Sequence, residues 1–369
     1  MSIFLGLSSG TSLDGIDCAL VRIAGDDISL LGYTETPYSP PLREALSRAI
    51  EDASISLGEI SELSVRVGQE FAQAANTALA SWDLTAADVT AIGSHGQTLW
   101  HAPHGNWRNT LQIGDPSTIS ALTGITTVAD FRTKDVALGG QGAPLVPPFH
   151  AALFQKIEEP KVVLNIGGIA NITVLPSNAE TPVRALDTGP GNTLLDAWIR
   201  HSRGVSYDHN GDFARSGRLS QTLLEQLLEE PYFKRSAPKS TGRETFNFNW
   251  VASHLSARWE ELPAEDIQRT LLELTVESIA RHILALAPDS THIFVCGGGS
   301  RNGFLMERLS SRLRPAAVAS TNSVGVPANA VEGMAFAWLA YRRLTLQPGN
   351  LPAVTGASRP AVLGGVFAP

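Results

Sequence analysis

Cysteine is scarce in this sequence: Cys18 and Cys296 are the only two in 369 residues, and each sits in an apolar stretch. Two such thiols build neither a disulfide framework nor a cysteine-rich metal site, so both read as reduced, buried and structural. Charge is thin as well, at 17% of residues, and its balance is acidic, with a formal net charge of -8. No run of lysine and arginine offsets that balance, which argues against a nucleic-acid partner. Long apolar runs are missing, and a span of about 18 residues is needed to cross a bilayer. Met1 to Leu7 carry neither a basic segment nor an apolar core of signal length, so a cytoplasmic protein with no membrane partner is expected. The glycosylation sequon Asn171-Ile172-Thr173 then has no physical consequence.

What is present is a globular composition, 43% hydrophobic, with 33 glycines and 22 prolines that imply many tight turns. The length favours two lobes sharing an interface, hence a clefted enzyme. A first lobe is expected over residues 1–130 and a second over 131–369. The Gly- and Pro-rich stretch from Leu138 to Pro148 is the expected crossing, and the tail after Leu351 is free to pack back on either lobe. Apolar runs at Ile3 to Ser8, Ile16 to Ile23 and Ile28 to Thr36 predict an antiparallel pair and a third strand. Pro40 and Pro41 open a helix, and Ser56 with Glu59 has the spacing of a capping box ahead of a long amphipathic one. Short strands are predicted at Val89 to Ser94, Thr110 to Ile113 and Ile125 to Ala129. After the crossing, Val162 to Ile166 and Ile169 to Leu175 flank Gly167-Gly168 and echo the first hairpin, which is compatible with internal duplication. Helices follow at Thr193 to His201, Leu219 to Glu229 and Ala264 to Ala287. A buried strand, His292 to Cys296, leads into Gly297-Gly298-Gly299, and a small-residue helix runs from Asn329 to Leu344.

The turn Gly10-Thr11-Ser12-Leu13-Asp14-Gly15-Ile16-Asp17 joins the first two strands. Its glycines, hydroxyls and successive N–H groups suit a phosphate cradle, and Asp14 or Asp17 suits a magnesium ion held through water. An ordinary hairpin turn uses the same residue types. Neither a Walker loop nor a dinucleotide fingerprint occurs, yet Gly297 to Gly299 lies between strand and helix, where backbone packs against adenine or phosphate. Asp187, in Asp187-Thr188-Gly189-Pro190-Gly191-Asn192, suits a general base and lies too far upstream to cap the helix at Thr193. His95 with Gln97, and Asp130 with Arg132, follow short strands where sugar hydroxyls would be met. A satisfied structural role stays open for each. His101 and His104 lack companion ligands and do not read as a metal site. Glu332 is a further acid, for which an exposed position near a helix N-terminus is a sufficient alternative.

Together, Ser9 to Asp17, Ser94-His95-Gly96-Gln97-Thr98, Asp130-Phe131-Arg132, Gly140 to Pro147, Asn165 to Asn171 and Asp187 to Asn192 resemble the anhydromuramic acid kinase family over nearly the whole chain. The resemblance implies an α/β actin-like fold of two similar lobes around ATP. It implies opening of the 1,6-anhydro bridge of N-acetylmuramic acid by water, with phosphorylation at O6 by ATP and Mg2+, in cell-wall recycling. Carried over by motif, residues 10–17 hold ATP phosphates; Gly167, Gly168 and Gly297 to Gly299 are the further candidates for the nucleotide site. Asp187 activates water, and Glu332 matches an acid near the sugar. Another amino-sugar kinase, or a non-kinase actin-like ATP-binding protein, is the alternative, and a homodimer is left open.

Overall fold

β1 (Ser2–Ser8) and β2 (Ile16–Ala24) form an antiparallel pair with Ser8 opposite Asp17, and β3 (Asp27–Thr36) extends it on the far side of β2. In this computed structural model, all residues are described except 1, 11, 12, 14, 52–54, 179, 243, 244 and 256–260. Helix Pro40–Glu51 opens on two prolines, whose fixed φ suits a first turn. Helix Leu57–Ser81 starts from the expected capping box: the Glu59 N–H donates to the Ser56 hydroxyl at 3.2 Å, and the Ser56 N–H donates to the Glu59 carboxylate at 3.0 Å. β4 (Ala91–Ser94) lies parallel to β1. β5 (Gln97–Ala102) and β6 (Asn109–Ile113) form a separate ribbon, and β7 (Thr127–Ala129) lies parallel to β4.

Farther along, β8 (Lys161–Ile166), β9 (Ile169–Leu175) and β10 (Arg184–Pro190) make an antiparallel meander. β11 (His292–Cys296) returns parallel to β8, and β12 (Ala317–Ser320) is parallel to β11. β13 (Gly365–Phe367) closes the first sheet against β7. The two sheets run β13-β7-β4-β1-β2-β3 and β10-β9-β8-β11-β12. Three consecutive antiparallel strands followed by two parallel additions on the inner strand therefore occur twice. The echo between the two glycine hairpins is thus an echo of whole sheets. β5, β10, β12 and β13 were not anticipated. β10 escaped because the strand continues past its apolar run through Asp187 to Pro190.

The chain divides into Met1–Gln155 with Ala330–Pro369, and Lys156–Asn329. The division thus falls after Gln155, not at 130/131, and the last forty residues do not belong with the second lobe. The Gly- and Pro-rich stretch is not a crossing. The buried Asp135 carboxylate accepts from the Gly142 N–H at 2.8 Å, Asn350 Nδ2 at 2.7 Å and the Thr355 hydroxyl at 2.8 Å. The Gln141 N–H donates to the Thr355 carbonyl at 2.7 Å. The glycines and prolines there shape a turn fastened inside the first unit.

Helix Val331–Leu344 lies on β1, β2 and β4, and small residues decide how closely. A Cβ on Gly6 would stand 1.8 Å from the Gly333 carbonyl oxygen, and one on Gly93 would stand 2.0 Å from that of Phe336. Each unit has its own apolar core: Leu5, Leu7, Leu20, Val67, Phe71 and Ile92 in the first, Val162, Leu164, Ile172, Leu271, Ile279 and Val295 in the second. Cys18 and Cys296 are buried free thiols.

Candidate active site

In the first unit the chain leaves β1 at Ser8, and the buried Ser9 hydroxyl donates to Gln97 Oε1 at 2.9 Å. Tyr38 donates to the same oxygen at 3.3 Å. Gln97, expected to meet sugar, has no exposed surface here, and its side chain ties Ser9, just past β1, to Tyr38, just ahead of helix Pro40–Glu51. Of the turn residues, Thr11, Ser12 and Asp14 lie outside the described residues. Leu13, at φ 58, donates its N–H to the Gly10 carbonyl at 3.3 Å. The Leu13 and Ile16 side chains are buried in the core, so what they offer a phosphate is main chain. Gly15 needs its missing side chain, because a Cβ would meet the Thr36 carbonyl oxygen at 2.5 Å. Asp17 is half-buried and accepts a hydrogen bond from the Tyr33 hydroxyl.

His95, Arg132 and Glu332 are brought together. Arg132 donates to His95 Nε2 from Nε at 3.2 Å and Nη2 at 2.9 Å, and to the Gly142 carbonyl from Nη1 at 2.8 Å. With Nε2 accepting, the ring proton sits on Nδ1. Burial, assisted by Arg132, holds this imidazole well below its ordinary range, so it stays neutral at physiological pH. Its face stacks on Phe336 at 4.6 Å. Phe336 is one helical turn beyond Glu332, so one helix positions both the acid and the platform beneath His95. Glu332 is half-buried, not exposed; burial raises its carboxyl above the usual value, and Arg132 opposes the rise. Asp130 is exposed at the end of β7, with a left-handed φ of 59. Such a conformation costs about 1–3 kcal/mol in a residue other than glycine and is concentrated at ligand sites.

In the second unit, the Gly167 carbonyl accepts from the Asn192 N–H at 2.9 Å, and that of Gly168 from the Gly191 N–H at 2.8 Å. The Thr193 hydroxyl adds a bond to Gly168 at 2.8 Å. The glycine hairpin and the segment after Asp187 are therefore one construction. Gly297 and Gly299 are required by packing, since Cβ atoms would stand 2.4 Å from Asn165 Oδ1 and 2.3 Å from Ile166 Cγ2. Gly298 is exposed, with nothing nearer its Cβ position than 3.9 Å, and is the glycine open to a ligand.

Asp187 lies at a β-bulge, where the register with β9 slips between Asp187 and Gly189. Bulges re-aim side chains and recur beside active sites. The Thr241 N–H donates to Asp187 Oδ2 at 3.0 Å, the Asp187 N–H to the Lys239 carbonyl at 3.3 Å, and the Tyr232 hydroxyl to the Asp187 carbonyl at 2.8 Å. The carboxylate is thus held in one orientation at a 6% exposed position.

The family model described as anhydro-N-acetylmuramic acid kinase matches residues 2–369. The chain belongs to this family. Similar relatives carrying that name are found in Saccharophagus degradans, at 49% identity with 100% of this chain and 99% of the relative covered, and in Shewanella oneidensis, at 51% with 99% and 98% covered. One from Aliivibrio fischeri is 47% identical, with 100% and 99% covered. Among solved structures, a ROK family glucokinase from Streptomyces griseus covers 92% of this chain and 100% of its own, at 13% identity and a TM-score of 0.41.

In this member of the anhydro-N-acetylmuramic acid kinase family, sequence reasoning missed the segment from Tyr232 to Thr241. No local pattern marks it, because its partner Asp187 is 54 residues from Thr241 along the chain. The one available signal was a lysine between Pro238 and Ser240 in an otherwise uncharged stretch, Ser236 to Gly242.

Proposed function

We propose that this kinase opens the 1,6-anhydro bridge of anhydro-N-acetylmuramic acid with water while transferring the γ-phosphoryl group of ATP to the freed oxygen at carbon 6. The products are N-acetylmuramic acid 6-phosphate and ADP, in cytoplasmic cell-wall recycling. The observation that carries this reading is the presentation of Asp187, set at a bulge and held at Oδ2 by the Thr241 N–H. Cleaving an acetal with water calls for such a fixed carboxylate.

Asp187 takes a proton from water as the water oxygen bonds to carbon 1. The bond from carbon 1 to O6 breaks, O6 bonds to the γ-phosphorus, and the bond to the bridging oxygen of ADP breaks. The leaving oxygen is thereby stabilised by phosphorylation instead of protonation. Main-chain groups of Gly10, Leu13, Gly15 and Ile16 would meet the phosphates, with Gly167, Gly168 and the open Gly298 completing the nucleotide site. Arg132, held by His95, and Glu332 would meet the sugar, as would Asp130. Magnesium supplies charge neutralisation between the terminal phosphates and keeps most of its waters. Asp17, a half-buried carboxylate at the end of the turn, fits a contact through one of them.

In heavy-oxygen water, the label is expected at carbon 1 of the product and phosphate at O6. Phosphorylation of the reducing sugar in preference to the bridged one, or ATP turnover independent of sugar, would overturn the assignment.

A further inference from the structure

Lysine is seldom buried without a partner, yet Lys239 is only 5% exposed although residues 234–238 just before it are all exposed. Its ammonium donates to the Tyr232 carbonyl at 3.1 Å and to His282 Nε2 at 2.8 Å, and lies 4.5 Å from the centre of the Tyr232 ring. His282 Nδ1 bonds the Ser278 carbonyl at 2.6 Å. That bond requires the ring proton on Nδ1, which leaves Nε2 as an acceptor aimed at the ammonium. The imidazole is therefore a neutral prop on helix Ala264–Leu286. The same Tyr232 that cradles the ammonium donates its hydroxyl to the Asp187 carbonyl, and the Lys239 carbonyl takes the Asp187 N–H. The charge is built into the frame that presents the carboxylate.

We propose that Lys239, propped by His282 and Tyr232, is a positioning residue whose charge keeps Asp187 an ionised base and fixes the segment that orients it. This rests on the reading of Asp187 as the base. Among the described residues, the ammonium meets His282 from its helix and the Tyr232 carbonyl and ring, while Asp187 from β10 and Arg235 act on it through charge. Burial pushes Lys239 down to about 8, Asp187 holds it up, and Arg235 adds to the fall. It is therefore charged through the neutral and acid range where a carboxylate base titrates. A cation favours the ionised form of a carboxylate with which it interacts.

The test is the pH profile of kcat/KM for the anhydro sugar, whose acidic limb reports the free enzyme's base. Lys239→Gln keeps donors for the Tyr232 carbonyl and His282 but removes the charge. Its acidic midpoint is expected to move up by about one pH unit, with the KM for ATP within about twofold of the wild type. Lys239→Arg is expected to restore the midpoint. His282→Gln, which retains an acceptor and does not titrate, is expected to leave it in place. An unmoved midpoint in folded Lys239→Gln, or a midpoint that moves in His282→Gln, overturns the proposal. Failure of Lys239→Gln to fold while Lys239→Arg folds assigns the ammonium to stability alone and overturns it as well. Asp187→Asn is measured in parallel: retained turnover there removes the base itself, whereas an inactive Asp187→Asn beside an unmoved Lys239→Gln removes only this proposal.

Discussion

Asp187, Gln97 and Leu13 show how residue type separates from residue role. All three stand in motifs rich in glycine and polar groups, and all three were candidates for ligand contact. Gln97 has both a buried position and an oxygen that already accepts from Ser9 and Tyr38, so its amide organises the site from behind. Leu13 turns its side chain into the core and its backbone into the turn. Asp187 differs because the bulge in β10 and the Thr241 N–H on Oδ2 fix the orientation of its carboxylate. Asp187→Asn conserves shape and the bond from the Thr241 N–H but removes the carboxylate proposed as the base. Turnover of the anhydro sugar is expected to fall by about 10²- to 10⁴-fold, with ATP affinity by calorimetry and the unfolding midpoint little changed. Unaltered turnover would take Asp187 out of the mechanism.

At the scale of elements, the decisive features are a bulge and a helix that touches a sheet through glycine. The bulge in β10 exchanges regular pairing for a re-aimed side chain, and Thr188 and Gly189, at φ 148, absorb the extra residue. Helix Val331–Leu344 carries Glu332 and Phe336, and its distance from β1 and β4 is set by Gly6, Gly93 and Gly333. The placement of Glu332 and of the Phe336 platform therefore depends on positions that bear no functional group. Gly93→Ala puts a methyl into the Phe336 carbonyl, and the helix must move to admit it. A destabilisation of about 3 kcal/mol, the upper part of the usual overpacking range, is expected in urea unfolding, together with lost activity. A protein as stable and active as the wild type would show that the helix does not seat Glu332 in this way.

For the whole molecule, two units of like strand order hold different candidate residues: Arg132 and Glu332 belong to one, Asp187 and Lys239 to the other. The first unit also contains buried neutral imidazoles, and these make its stability depend on pH. Burial pushes His150 down to about 3, so below pH 6.5 the unfolded chain binds a proton that the folded chain refuses. Stability is then lost as pH falls from 6.5 toward 3, by about 2 kcal/mol at pH 5 from this residue at 1.4 kcal/mol per pH unit. Urea unfolding at pH 7 and pH 5 should show the loss, and His150→Leu should reduce it; an equal loss in the variant would assign it elsewhere. Sequence alone determined the hairpins, the capping box, the long helices and the motif residues, because those follow from apolar period, turn chemistry and short strings of side chains. Tertiary structure alone decided that the tail returns to the first unit, that Gln97 faces inward, and that Lys239 lies in the frame holding Asp187. Each of these depends on residues far apart in the chain meeting in space, and no local periodicity encodes a meeting of that kind.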